Sequence, residues 1–304
     1  MASNQTKHKH AYLYAFAAVL FWATTASAFK LSLRYLSVLS LLLYASITST
    51  SVFLLYLAAG GNLHLLKALT RHDYLRSAAL GFLNPFLYYA ILLKAYNLLT
   101  AQQAMTINWV WPIMLVLLSI PLLGQKIKLV SLLAIVVSFA GVCLIAAGGK
   151  ISELQFSNPL GVLLALISTI IWAIFWIYNV RDNLDEAVRL FLNFSFGTIY
   201  ILLSAALMGK IEVPPVRGLV GAIYVGLFEM GITFLAWLKA LRLSHTTAHV
   251  ANLVYLVPFL SLMVISLVVG EKILPSTLLG LIFIITGIAA QPVALRRKGS
   301  SKCS

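Results

Sequence analysis

Gly81 to Ala95 reads GFLNPFLYYAILLKA, Gly226 to Ala240 reads GLFEMGITFLAWLKA, and the two stretches align without a gap. Both start on glycine, both end on Leu-Lys-Ala, and both sit inside long apolar runs. The landmarks around them keep the same order. Trp22 corresponds to Trp172, Pro112 to Pro258, and Gly124-Gln125-Lys126-Ile127 to Gly270-Glu271-Lys272-Ile273. Gly141 and Gly287 close the series. The chain is therefore an internal duplication, and its unit is about five apolar segments long.

Composition fixes the solvent. The 304 residues are 61% hydrophobic and 10% charged, with a mean hydropathy of +0.96. A soluble domain carries about 25% charged residues. This surface suits lipid, and the bilayer is the first expected partner. The net charge of +14 does not point to nucleic acid, because the basic residues are scattered through short connections and the C-terminal tail. Cys143 and Cys303 have no disulfide or metal spacing.

A hydrocarbon core about 30 Å thick needs roughly 20 helical residues. Such runs fall at 11–29, 37–58, 75–94, 100–120, 129–147, 159–180, 188–208, 217–238, 246–268 and 275–294. Lys7 and Lys9 ahead of the first run, with Ala26-Ser27-Ala28 near its end, have the outline of a signal peptide. That run is long enough to span and has a counterpart at 159–180, so it is taken as the first helix. With the N-terminus in the cytoplasm, fifteen of the 22 Lys and Arg lie on the cytoplasmic side and seven opposite. This is the bias that sets orientation. The expectation is an all-α membrane protein of ten transmembrane helices, with both termini cytoplasmic. Because each unit has an odd number of spans, the second five-helix repeat (159–294) is inverted relative to the first (11–147), and a basic tail follows at 295–304. Inverted repeats are a construction principle of secondary transporters, which bind substrate near the midplane at the repeat interface.

The Trp22 and Trp172 segments, the Pro112…Gly124-Gln125-Lys126 and Pro258…Gly270-Glu271-Lys272 ends, and the glycines of spans five and ten together resemble the EamA-type transporters of the drug/metabolite transporter superfamily. Asn108-Trp109-Val110-Trp111-Pro112 is similar to a stretch of an aromatic amino acid exporter in that group. The chain departs from the family pattern at Gln125, where Glu is usual, and in having no Arg in its second span. The resemblance implies export of a small polar metabolite, an amino acid or related compound, across a bacterial or archaeal plasma membrane.

One residue carries the functional reading. Glu229 stands in YVGLFEMGITFLAWL, with Arg217 and Lys239 its nearest charged neighbours in sequence. A charge at the centre of a spanning helix costs about 2.5–3.5 kcal/mol even on the lenient insertion scales, so it faces a cavity or a partner. Thr233 and Trp237 follow at i+4 and i+8, on one helical stripe. Asn84 and Tyr88 occupy the matching positions of the first repeat. Under repeat symmetry the two stripes face each other across one cavity. Desolvation favours the neutral form of a carboxyl, so Glu229 can exchange a proton as coupling ion, hold a substrate ammonium, or act only as an interhelical hydrogen-bond partner.

Further candidates precede the two prolines: Gln103 and Asn108 before Pro112, and His249 and Asn252 before Pro258. A proline within a span frees a backbone carbonyl and permits a bend, which neighbours or cavity water must satisfy. Trp22, Trp172 and Trp176 are placed deep enough to line the cavity, and their faces suit planar or cationic ligands. His245 and His249 lack a third ligand, so no metal and no cofactor is expected; no enzyme signature is found, so no enzyme is expected, and without a phosphate-binding Gly-Lys-Ser loop neither is direct coupling to ATP. A channel or facilitator for small solutes and a membrane receptor or scaffold are the alternatives to a transporter. A single cysteine introduced at Gly149 of a protein lacking Cys143 and Cys303 is expected to react with an impermeant thiol reagent from outside, and one at Gly124 is not. The reverse pattern overturns the topology.

Overall fold

The computed structural model describes residues 2–123, 129–146, 158–179, 184–243 and 252–290, and these are helical with no strand among them. The first half contains α1 (Ala2–Ser32), α2 (Val38–Ala59), α3 (Arg71–Gly81), α4 (Tyr88–Leu98), α5 (Ala101–Asn108), α6 (Trp111–Leu123) and α7 (Leu129–Ala146). The second contains α8 (Pro159–Asn179), α9 (Glu186–Leu207), α10 (Val216–Phe228), α11 (Ile232–Leu243), α12 (Val257–Val264) and α13 (Pro275–Ala290). Among the described residues, seven stretches are long and apolar enough to cross a bilayer: His10–Ser32, Val38–Ala59, Arg71–Leu98, Ala101–Leu122, Pro159–Asn179, Glu186–Leu207 and Val216–Ala240. Three shorter apolar helices, Ile135–Ile145, Leu253–Val269 and Pro275–Ala289, fall where the sequence predicts the fifth, ninth and tenth spans. Within the described residues those three are below the usual spanning length.

Local sequence signals set the helix ends. Ser37 accepts a hydrogen bond from the Ser40 amide, and Thr70 with Asp73 forms a reciprocal capping box. Asp185 belongs to an acidic cluster that reads as a solvated loop, yet its Oδ1 accepts from the amides of Ala187 (2.9 Å) and Val188 (3.4 Å) and so starts α9. Pro112 and Pro258 are each the second residue of their helix. There the missing N–H leaves no helical hydrogen bond unmade. Pro112 restarts a helix after the turn at Trp109 and Val110, whereas Pro258 stands where the tighter helical turn Asn252–Leu256 passes directly into an α-helix.

Packing runs between the halves in reciprocal pairs. The α4 helix lies on α8 and α11 lies on α1; α3 lies on α9 and α10 on α2; α6 lies on α8 and α12 on α1. Exchanging the halves turns each contact into its partner. The self-paired contacts, α2 on α9 and α7 on α13, are also present. Neither half covers its own core, and one buried cluster extends from Ala26 through Tyr89 and Phe194 to Ile288.

Small residues allow the close approach, as membrane interfaces require. A side chain on Gly81 would strike the backbone of Asn193 and Gly197 in α9, and one on Gly226 would strike Ala45 and Thr48 in α2. These are the two aligned glycines with which the repeated stretches begin. Gly141 and Gly280 meet the same way, each barred from a Cβ by the other's carbonyl, where α7 crosses α13. We expect Gly81→Val and Gly226→Val each to lower stability by about 1–3 kcal/mol, the usual penalty for overpacking, in thermal unfolding of the purified protein. Tolerance of valine at both positions contradicts the packing.

Candidate functional site

The two aligned stretches break at the same place. Three residues beyond Gly81, Asn84 leaves helical geometry (φ −148°, ψ 120°) within the irregular turn Phe82–Leu87, which also holds a cis Asn84–Pro85 bond. Three residues beyond Gly226, α10 ends at Glu229 and the chain turns through Met230 and Gly231 before α11. Gly231 is needed there, because a Cβ would sit 2.7 Å from the Gly226 carbonyl. The freed backbone is re-satisfied locally: Glu229 N and Met230 N both donate to Val225 O (2.9 and 3.1 Å), and the Thr233 hydroxyl donates to Phe228 O. Interrupted helices at matching positions of two repeats mark the binding region in transporter folds.

Glu229 is buried, and each carboxylate oxygen accepts one hydrogen bond from the first half. Thr25 Oγ1 donates to Oε2 at 2.8 Å, and Tyr89 OH donates to Oε1 at 3.0 Å. The carboxylate borders a cavity of about 110 Å³ between the halves. Trp22, Thr25 and Phe29 of α1 and Tyr88, Leu92 and Tyr96 of α4 form part of its wall. Met105, Asn108, Trp109 and Trp111, with Trp172 of α8, Val254, Val257 and Ser261, complete it. Tyr88 stacks on Trp172 at 4.5 Å and donates to Asn108 Oδ1 at 3.3 Å; Asn108 Nδ2 donates to Ser168 at 3.0 Å. A hydrogen-bonded wall thus joins α4, α5 and α8 across the halves.

Several expected site residues stand elsewhere. The break after Phe228 ends the helical stripe, so Thr233 turns back to its own backbone and does not join Glu229. Trp237 packs on Trp22 at 5.4 Å, behind the cavity wall. Trp176 stacks on Phe234 at 6.5 Å, and it too lies outside the lining. Asn84 is fully buried, with neither Oδ1 nor Nδ2 partnered, and does not border the cavity. Gln103 belongs to a capping box with Thr100 and donates to Ile145 O at 3.2 Å, a helix-positioning role. His249 lies outside the described residues, and so does the side chain of Asn252. Of the expected set, Glu229, Tyr88, Asn108, Trp22 and Trp172 are brought to one cavity. Thr25 and Tyr89, which touch the carboxylate, escaped the stripe argument: Tyr89 neighbours a chosen residue, and Thr25 has no distinguishing sequence signal.

Beside the lining residue Tyr96, charge is set against helix termini. Glu271, from the second half, accepts from the amides of Ala101 (2.8 Å) and Gln102 (3.2 Å) at the start of α5. Lys30 Nζ donates to Tyr96 O (2.8 Å) and Leu99 O (2.6 Å) at the end of α4. An anion at a helix N-terminus and a cation at a C-terminus both complement the helix dipole. Gln102 adds two bonds, to Lys272 O at 3.0 Å and from Leu274 N at 3.1 Å. Among the described residues no group of His, Cys, Asp and Glu could hold a metal ion.

Known proteins place this arrangement. Residues 9–147 and 159–290 each match the profile described as the EamA-like transporter family. The chain is 28% identical over 291 residues to YvbV of Bacillus subtilis, named an uncharacterized transporter, covering 93% of this chain and 91% of that one. An uncharacterized transporter of Archaeoglobus fulgidus is 22% identical over 282 residues, covering 89% and 94%. A solved crystal structure with 20% identity has the same fold, with a TM-score of 0.64 over 92% of this chain and 95% of its own. Four of the six tryptophans, 22, 109, 111 and 172, line the cavity, and two do not. A transported substrate is therefore expected to quench the protein's fluorescence. Trp172→Phe should reduce the quenching and Trp176→Phe should leave it. Equal loss in both variants removes the distinction.

Proposed function

Because the chain belongs to the EamA-like transporter family, and so is a multi-pass integral membrane protein, we propose that it is a secondary transporter. On this reading it moves a small polar metabolite of the amino acid class, or a related compound, out of the cell by alternating access. Ten spans form two inverted repeats in the plasma membrane, and both termini are cytoplasmic. The observation that carries the reading is the buried Glu229, set at the break between α10 and α11 and bordering a cavity walled by both halves. An ionisable group in such a position is far too costly to serve lipid anchoring alone.

Reciprocal packing supports this reading. Each half lies on the other through equivalent helices, so two arrangements of similar energy are available, one opening to each side. The Lys30 and Glu271 contacts hold one end shut, and opening that end exchanges them for water. Glu229 binds the substrate or the coupling proton, with Thr25 and Tyr89 fixing its orientation. Direct ATP coupling has no motif in the sequence. A passive facilitator remains the rival, and saturable exchange separates the two.

Glu229→Gln keeps shape and hydrogen-bonding capacity and removes the charge. A hydrogen bond to a charged group contributes about 1.5–3 kcal/mol. Transport in proteoliposomes is therefore expected to fall by about 10- to 100-fold, with expression and thermal stability unchanged. If the residue carries the coupling proton, the variant should keep substrate exchange and lose its response to a pH gradient. Normal transport in both assays reduces Glu229 to a packing residue and overturns the proposal.

A further inference from the structure

We propose that the substrate is an organic cation, an amine with an aromatic or apolar body and no carboxylate. The inference rests on the reading of this cavity as the transport site and selects, among amino acids and related compounds, the amines that lack a carboxylate. A zwitterion brings an anion as well as a cation, and a desolvated anion must be paired or hydrogen-bonded. Among the described residues that line the cavity there is one carboxylate and no Lys, Arg or His. The nearby cation, Lys30, is committed to two carbonyls of α4 and does not line the cavity.

Helix N-termini are the other usual receptors for an anion, and three helix starts beside this cavity have amide donors removed or already used. At the start of α6, Pro112 has no amide hydrogen, and Ile113 N and Met114 N both donate to Val110 O at 2.9 and 3.2 Å. At the start of α12, Pro258 again removes an amide hydrogen beside the lining residue Val257. The amide of Tyr88, where α4 begins, donates to Leu83 O.

What remains suits a cation. Each Glu229 oxygen accepts one hydrogen bond, from Thr25 or Tyr89, and keeps lone-pair capacity for an ammonium. Around it stand the rings of Trp22, Tyr88, Trp109, Trp111 and Trp172. Aromatic faces attract cations through the ring quadrupole and stack on planar bodies. One carboxylate among aromatic rings, with no countercharge among the described lining residues, is the chemistry of amine recognition. Thr25 and Tyr89 act as positioning residues, aiming the carboxylate into the cavity.

The test uses matched pairs that differ by a carboxylate alone: tryptamine against tryptophan, and tyramine against tyrosine. Labelled compounds are followed by counterflow in proteoliposomes containing the wild-type protein, so the comparison within each pair does not depend on the folding of a variant. The expected result is transport of at least one amine with a half-saturation concentration at least 10-fold below that of its amino acid. Glu229→Gln should raise the amine's value by 10-fold or more. Amino acids transported as well as, or better than, the amines overturn the cation proposal and leave the transport reading standing. If no counterflow is seen with these pairs or with a broad panel of amines, amino acids and sugars, the transport reading itself fails.

Discussion

A backbone inside a bilayer has no water to fall back on, so every break in a spanning helix must be satisfied within the protein. Two breaks, at Phe82–Leu87 and after Glu229, impose that condition on this fold. Each lies three residues beyond a glycine that brings its helix against the opposite half, Gly81 on α9 and Gly226 on α2. The close contact fixes the helix, and the break follows where the neighbouring chains already exclude lipid. The reciprocal pairing of α4 on α8 and α11 on α1 then covers the interrupted segments. The cavity lies at this junction because it is where irregular backbone is admissible.

The halves share a scaffold and differ in chemistry. In the repeat alignment Asn84 stands opposite Glu229, Phe234 opposite Tyr89, and Phe175 opposite Thr25. Around Glu229, two hydroxyls reach the carboxylate. The residues aligned with those two hydroxyls are phenylalanines, and the buried Asn84 amide has no partner. An unsatisfied buried polar group costs about 1–3 kcal/mol, so this difference is not neutral. Duplication supplied two equivalent frames, and substitution made one of them a polar site.

The all-helical membrane fold and its two family repeats were legible because hydropathy and internal repetition act over long stretches. The site was legible where a residue violates its surroundings: Glu229 is a lone acid in an apolar run, and Trp22 and Trp172 mark equivalent spans. It was not legible where it depended on the exact end of a helix. Extending α10 unbroken through Glu229 put Thr233 and Trp237 on its stripe, whereas the turn at Met230 and Gly231 resets the helical phase. Pairing by symmetry put Asn84 and Tyr88 opposite the carboxylate, one residue short of Tyr89. Thr100-x-x-Gln103 carries a capping pattern visible in the sequence, and it accounts for Gln103. Thr25 could not have been found, since its role depends on how α1 crosses the start of α11.

Carbodiimide modification offers the most direct measurement, because such reagents attack carboxyl groups held in apolar surroundings. Labelling followed by mass spectrometry should find Glu229 modified. A transported substrate should protect it, with half-protection at the concentration that half-saturates transport. Glu229 labelled equally with and without saturating substrate would place the carboxylate outside the transport site and contradict the account.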